Sequence, residues 1–495
     1  MTPSASNAPM DSSSTGRSPG LSAAVGTVQL LAAQVLGLLM GFAISAVLTR
    51  GLGPELYGLY SVAFAVAMWV EMSSNAMFRH TTIKFLAQAD DWRDTGLALM
   101  QSELAVNLVA GLGLALAAPL LARLLRSTEL VPLLRLMGLY LPLRALVHSQ
   151  ASILLGRGQF ARASVTAFVH WPARLLLAVL LLRLGRSTSA GVWAVIGASF
   201  AEAAVLLGML RLLPFGRPAF SHRRVLGYAL PLFFNGLGIR LLTRIDLWLV
   251  QVRSGDAAAG QYSAAQNVGL QPLGFLGASI SAPMLSVVSG LARDNAVVAA
   301  RRIIESTLRF LLCLLPWVAM AAAASSEIVR FLYGRSFLPA APLLSWLLLA
   351  GLALDLVSVS GSLLTAAGKP AWNLYVTIPI VPAALLAHWF LVPRLGPVAA
   401  AAVTATLASL DAIAATLLMR RLWTVALPWR SILRSLFLSA VVYLLSSGWS
   451  SPGWYLLPKF AVLSLFTVVG YWALGELTRQ DLAAIRSFLP RLFGR

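Results

Sequence analysis

Three arginines lie deep inside apolar stretches of this 495-residue chain: Arg144, Arg174 and Arg240. At the centre of a membrane helix an ionised side chain costs roughly 2.5–3.5 kcal/mol unless a partner or water meets it, so all three are predicted to face an interior. Polar residues recur around them at helical spacing. Tyr140, Arg144 and His148 form one stripe and Thr166, His170 and Arg174 a second, while Arg240 and Arg244 share a face with Asn235 about one turn earlier. Guanidinium forks match phosphate oxygens better than ammonium groups do. The expectation is a cavity in which Tyr140, Arg144, His148, His170, Arg174, Asn235 and Arg240 bind an anion.

The acidic residues within apolar runs are Glu71, Glu103, Glu202, Asp246, Asp355 and Asp411. They nearly balance the arginines, which leaves two readings open. One is structural pairing of acid with base. The other gives Glu71, Asp246 and Asp355 the role of counter-ions or coupling-ion sites beside the anion. His148, His170 and His388 could shuttle protons, although a lone membrane histidine more often bonds a neighbouring backbone.

These side chains need helices to carry them. With 58% hydrophobic and only 11% charged residues, and a mean hydropathy of +0.79, the chain belongs in lipid. About 20 apolar residues span a bilayer. Runs of that kind predict about fourteen helices, over 25–48, 56–78, 97–121, 130–155, 164–184, 190–213, 226–250, 260–289, 303–324, 342–366, 372–392, 397–418, 432–447 and 455–474. Several carry internal prolines, Pro142, Pro172, Pro231, Pro272, Pro283, Pro316, Pro379 and Pro382, each of which removes a backbone hydrogen bond. Pro231 and Pro382 are the expected hinges.

The chain is read as a duplication. Gly53, Gly58, Tyr60, Ser61 and Ala63 reappear as Gly255, Gly260, Tyr262, Ser263 and Ala265, an offset of 202 residues, and Gly158, Ala161 and Pro172 reappear as Gly368, Ala371 and Pro382. The predicted fold is all-α and polytopic: two pseudo-twofold-related six-helix bundles plus two C-terminal helices. Its parts are a disordered tail over 1–24, an N-terminal lobe over 25–213, a cytoplasmic linker over 214–225, a C-terminal lobe over 226–418, and two further helices with an amphipathic tail over 419–495. On this register Arg144 and Asp355 fall at nearly equivalent places and are expected to meet at the central axis.

The net charge of +20 forms no nucleic-acid-binding patch, since the basic residues fall between helices. One alternating set of loops and tails carries about 22 Lys and Arg against about 10 in the other, which predicts both termini in the cytoplasm and contact with anionic lipid headgroups. No connection is long enough for a soluble catalytic domain and no phosphate-binding glycine loop occurs, so an enzyme or ATPase is not expected. The single Cys313 excludes an internal disulfide.

Further motifs carry a resemblance. Leu48-Thr49-Arg50-Gly51-Leu52-Gly53-Pro54-Glu55-Leu56-Tyr57-Gly58, Tyr228-Ala229-Leu230-Pro231-Leu232 with Arg244-Ile245-Asp246, Ala259-Gly260-Gln261-Tyr262-Ser263-Ala264-Ala265, Leu332-Tyr333-Gly334-Arg335-Ser336-Phe337, and Val392-Pro393-Arg394-Leu395-Gly396-Pro397 occur in this order. Together they resemble the polysaccharide-biosynthesis (Wzx-like) flippases of the multidrug, oligosaccharidyl-lipid and polysaccharide exporter superfamily. The resemblance implies export of an undecaprenyl-diphosphate-linked, anionic oligosaccharide across a bacterial inner membrane by alternating access, without a cofactor. It leaves open an H+ or Na+ coupling ion and a polysaccharide polymerase as partner. Arg144, Arg174 and Arg240 would hold the diphosphate or acidic sugars. The alternatives are a lipid-linked peptidoglycan precursor flippase or a multidrug exporter of the same superfamily and, further off, a membrane enzyme of polysaccharide assembly.

Overall fold

The computed structural model describes residues 19–87, 89, 91–185, 188–223, 225–227 and 245–476, and every regular element among them is helical. Eleven helical stretches are long and apolar enough to cross a membrane. Two of these are folded at a glycine. α1 (Pro19–Ala87) leaves helical geometry at Gly53, with φ 74° and ψ 176°. A later helix, Ala371–Trp423, does the same at Gly396, with φ 70° and ψ −159°. A side chain at such a φ is strained, so glycine is what lets one span reverse into the next. Each of the two is therefore a pair of spans.

The remaining elements are α2 (Trp92–Leu124), α3 (Leu130–Gly156), α4 (Phe160–Arg183), α5 (Ser189–Leu210), α6 (Ile245–Ser254), α7 (Asp256–Gly269), α8 (Gln271–Arg293), α9 (Val297–Cys313), α10 (Leu315–Ala323), α11 (Ser325–Tyr333) and α12 (Ala341–Ala366), followed by α13 (Ala371–Trp423), α14 (Trp429–Gly448) and α15 (Leu456–Ala473). The helices expected from hydropathy are present where the structure describes them. The segment expected over 226–250 is seen only at its ends, so Pro231, Asn235, Arg240 and Arg244 lie outside the described residues. So do most of the N-terminal tail and the amphipathic stretch after residue 476.

Prolines interrupt the helices selectively. α7 gives way to α8 just before Pro272, and α9 to α10 just before Pro316, each proline taking a first-turn position where its missing N–H costs nothing. Pro142, Pro172, Pro283, Pro379 and Pro382 sit inside helices that run through them. The expected hinge at Pro382 is thus continuous helix, and the break in that stretch falls at Gly396.

The duplication is written in the backbone. Left-handed φ values recur in register: Gly53 at 74° and Gly255 at 84°, Gly158 at 71° and Gly368 at 76°, Gly185 at 75° and Gly396 at 70°, and the helix-ending Arg211 at 51° and Thr424 at 49°. In the first half α3 packs on α1, α2 and α5, and α4 on α1 and α5; in the second α12 packs on α8 and α13. One continuous apolar core, from Ile44, Tyr57 and Leu134 to Tyr262, Tyr333 and Leu344, joins the halves.

α14 and α15 pack on α10 at the edge of the second half, pinned at both ends by ion pairs. At one end Glu476 takes Arg309 at 3.0 Å and Arg434 at 2.8 Å. At the other the fully buried Lys459 donates to Glu327 at 2.7 Å and to the Trp449 carbonyl at 2.6 Å. The linker after α5 is docked rather than free. Its Ala219 and Phe220 amides donate to Asp94 at 2.7 and 2.9 Å, and Gln101 donates to the Pro214 and Gly216 carbonyls.

Candidate functional site

A cavity of about 580 Å³ opens between the two spans of α1 and helices α3, α4 and α5, with Leu247, Ser263, Asn267 and Gln271 of the second half closing one wall. The two polar stripes expected from the sequence meet here, except that His148 of the first lies outside the lining. Tyr140 and Arg144 line it from α3, Thr166, His170 and Arg174 from α4, Glu71 from α1 and Glu202 from α5.

The two arginines have different surroundings. Arg144 is bound on two sides: its Nε meets Glu71 Oε1 at 2.9 Å and its Nη1 meets Glu202 Oε2 at 2.8 Å. Tyr140 donates to Glu71 Oε2 at 2.5 Å, and His148 Nε2 lies 2.8 Å from Glu71 Oε1. His170 Nδ1 approaches Glu202 Oε2 at 2.9 Å without hydrogen-bond alignment. Two carboxylates, one guanidinium and two imidazoles thus close a network within the first half, which offsets the cost of burying each charge.

Arg174 is 8% exposed and has no carboxylate within 4 Å among the described residues. Its Nη2 donates to Tyr60 Oη at 2.6 Å, its guanidinium lies 5.0 Å from the centre of the Phe64 ring, and its Nε is buried without a partner. A guanidinium has five N–H donors. Arg174 lines the cavity with more donors than its partners take up.

Asp355, expected beside Arg144, is elsewhere. It is 1% exposed on α12 against Gly277 of α8, where a β-carbon on that glycine would come within 2.2 Å of Asp355 Oδ1. The pairing with Arg144 does not form, because Glu71 and Glu202 of Arg144's own half reach it first. Asp246 is also outside the cavity lining. Its carboxylate accepts from Tyr262 Oη at 2.8 Å, Gln266 Nε2 at 2.9 Å and the Leu247 amide at 2.8 Å. His388 bonds the Ala384 carbonyl at 2.7 Å, the ordinary backbone role. Glu202, Tyr60, Asn267 and Trp171 were not among the expected site residues. Glu202 carried a signal, as one of six acids inside apolar runs, and Tyr60 carried another through its repeat partner Tyr262.

The cavity is sealed at one end. Gly58 packs so tightly that a β-carbon there would lie 1.9 Å from the Asp256 carbonyl oxygen, and one on Gly260 would lie 2.1 Å from that of Pro54. Asn267 donates to Tyr57 Oη at 2.9 Å, and Tyr333 to the Ala264 carbonyl at 3.1 Å. Arg50 donates to the Leu332 carbonyl at 3.0 Å and to that of Phe331, at the end of α11. α1 packs on α7, which starts at this seal, and the Trp69 and Trp248 rings, 5.8 Å apart, continue the contact between the halves.

Paired helical halves, an off-centre polar cavity and a seal at one end define a multi-pass membrane transporter. The family described as "Polysaccharide biosynthesis protein" matches residues 47–342, and the chain belongs to it. The succinoglycan biosynthesis transport protein ExoT of Rhizobium meliloti (strain 1021) is 31% identical over 226 residues; the match takes in 44% of this chain and 44% of that relative, so the chain spans less than half the length of the curated protein it matches. Among solved structures, the lipid II flippase MurJ in an inward closed conformation superposes with a TM-score of 0.74 at 15% identity, over 93% of this chain and 100% of that one. An inward-facing multidrug resistance MATE family transporter of the MOP superfamily does so with a TM-score of 0.64 at 14% identity, over 80% and 98%. These two likenesses bear on the fold alone.

Proposed function

We propose that this protein flips an undecaprenyl-diphosphate-linked, anionic oligosaccharide across the cytoplasmic membrane of a bacterium. The lobes over 25–213 and 226–418 rock about the cavity, both termini face the cytoplasm, and the sealed end faces outward. The observation that carries this reading is Arg174. An arginine in a membrane cavity, bonded to one tyrosine and to no carboxylate among the described residues, is a site for phosphate oxygens. Arg144 serves as a positioning group for the surrounding network, and Arg240 remains a proposed second contact. His148 and His170, each beside a carboxylate of the Arg144 network, supply an H+ coupling site in this reading.

The test is deletion of the gene followed by leaflet-specific analysis of lipid-linked intermediates. Accumulation of a lipid-diphosphate oligosaccharide on the cytoplasmic leaflet, reversed by the wild-type gene and not by Arg174→Ala, supports the proposal. An unchanged leaflet distribution sinks it.

A further inference from the structure

The aromatic side chains beside Arg174 form a second feature of the cavity. Trp171 stands one helical turn before Arg174 on α4, half-buried, with its ring 5.9 Å from the guanidinium. The opposing span of α1 has no side chain where the indole lies. A β-carbon on Gly37 would come within 2.7 Å of Trp171 Nε1, and one on Gly41 within 3.8 Å of its six-membered ring. The indole is thus seated in a glycine notch, edge-on to His170 with ring centres 5.5 Å apart. Phe64 and Tyr60, stacked at 5.8 Å, continue the aromatic wall to the other side of Arg174. The facing wall is amide-rich: Asn267 is fixed by Tyr57, and Gln271 donates to Asn267 at 2.8 Å.

The local chemistry is therefore divided. One guanidinium suits an anion, while the flat ring beside it and the amides across from it suit a polyhydroxylated ring, whose C–H faces pack on aromatics and whose hydroxyls bond amides. Deepening the reading of Arg174 as a diphosphate anchor, on which it rests, we propose that Trp171 is the platform for the first sugar of the cargo, the residue joined to the diphosphate. Trp171 then sets a preference for glycosylated over bare lipid diphosphate, and Gly37 is required to keep the platform in place.

The test uses purified full-length protein in detergent and two probes, farnesyl diphosphate and farnesyl diphosphoglucose. Wild type should bind the glucosylated probe about tenfold more tightly, the size of effect one aromatic contact supplies. Trp171→Ala should bind both probes equally, at the affinity of wild type for the bare diphosphate. Trp171→Phe should keep part of the preference. Gly37→Ala, which drives a methyl into the indole, should lose it as Trp171→Ala does. Arg174→Ala should weaken both probes together. Equal binding of the two probes by wild type, or a preference that survives in Trp171→Ala, overturns the platform while leaving the anion site intact. Unchanged binding of both probes by Arg174→Ala overturns the anion site and the platform with it.

Discussion

Gly58 and Gly260, which occupy the same place in the two copies of the repeat, touch each other: a β-carbon built on Gly260 would lie 2.9 Å from the Gly58 amide nitrogen. The duplicated residue is thus the contact point between the duplicated halves. Small residues let helix backbones approach this closely in a membrane. Gly58→Ala or Gly260→Ala should part the sealed ends, because the neighbouring atoms are carbonyl oxygens of Asp256 and Pro54 that have no room to yield. In a Cys313→Ser background, a cysteine pair at Tyr57 and Ala259 should crosslink less completely in either variant than without it. Equal crosslinking would show that the contact does not hold the seal.

Arg50 should act as a latch on the same seal. It donates from the first half to the Leu332 and Phe331 carbonyls at the C-terminal end of α11, where a positive charge is favoured. Arg50→Ala should raise labelling of a cysteine at Asn267 by an impermeant reagent added from outside, roughly tenfold or more for the loss of charge-assisted bonds. No change in labelling would exclude the latch.

Arg144 and Arg174 should fail in different ways. Arg144→Ala leaves Glu71 and Glu202 buried without their cation, a loss of about 3–5 kcal/mol, and should reduce the amount of folded protein in the membrane. Arg174→Ala removes no ion pair. It should leave abundance near wild type while abolishing transport, with Arg174→Lys a partial rescue because ammonium lacks the fork. Thermal melts of the two purified variants separate these outcomes, and a normal melt for Arg144→Ala would contradict the pairing described above.

The pin at Glu476, just beyond the last span, should be sensitive to acid. Burial raises the affinity of this carboxyl for a proton, but hydrogen bonds from Ser431, Arg434 and Arg309 outweigh it and hold the group below the usual glutamate range. A depressed folded-state value stabilises the protein above the unfolded value and loses that contribution as pH falls through the folded one. The melting-temperature gap between wild type and Glu476→Gln should therefore be constant above about pH 5 and narrow below about pH 4. A gap that widens on acidification would contradict this.

Much of the fold and part of the site were legible in the sequence, for definite reasons. Hydropathy marks spans well because unpaired backbone cannot sit in lipid, and Tyr140, Arg144 and His148 share a stripe because helices repeat about every fourth residue. Partner choice was not legible. Arg144 and Asp355 are near-equivalent in the repeat, yet equivalence across a pseudo-twofold does not bring side chains within reach, and Glu71 and Glu202 on helices packed against α3 do. Trp171 carries no signal in the sequence, because its setting depends on Gly37 and Gly41, far away in the chain and facing it only after folding. Pro382 looked like a hinge because a proline removes one hydrogen bond, but a long helix can absorb that loss, and the chain bends where Gly396 adopts a left-handed φ.

Orientation is tested by labelling. With Cys313→Ser as background, a cysteine at the exposed Thr128 should react with an impermeant reagent in intact cells and one at His222 should not, as the loop charges require. Equal labelling at both would void the assigned topology, and labelling at His222 alone would reverse it.

The measurement that bears most directly on the account is flipping in vesicles. Purified protein would be reconstituted into liposomes containing a fluorescent polyprenyl-diphosphate oligosaccharide, and movement between leaflets followed by quenching of the outer leaflet. Wild type should equilibrate the lipid between leaflets, and Arg174→Ala, reconstituted to the same density, should not. Flipping that is equally fast with Arg174→Ala, or absent with wild type across a proton gradient of either sign, would contradict the assignment of this cavity as the path of a lipid-linked diphosphate.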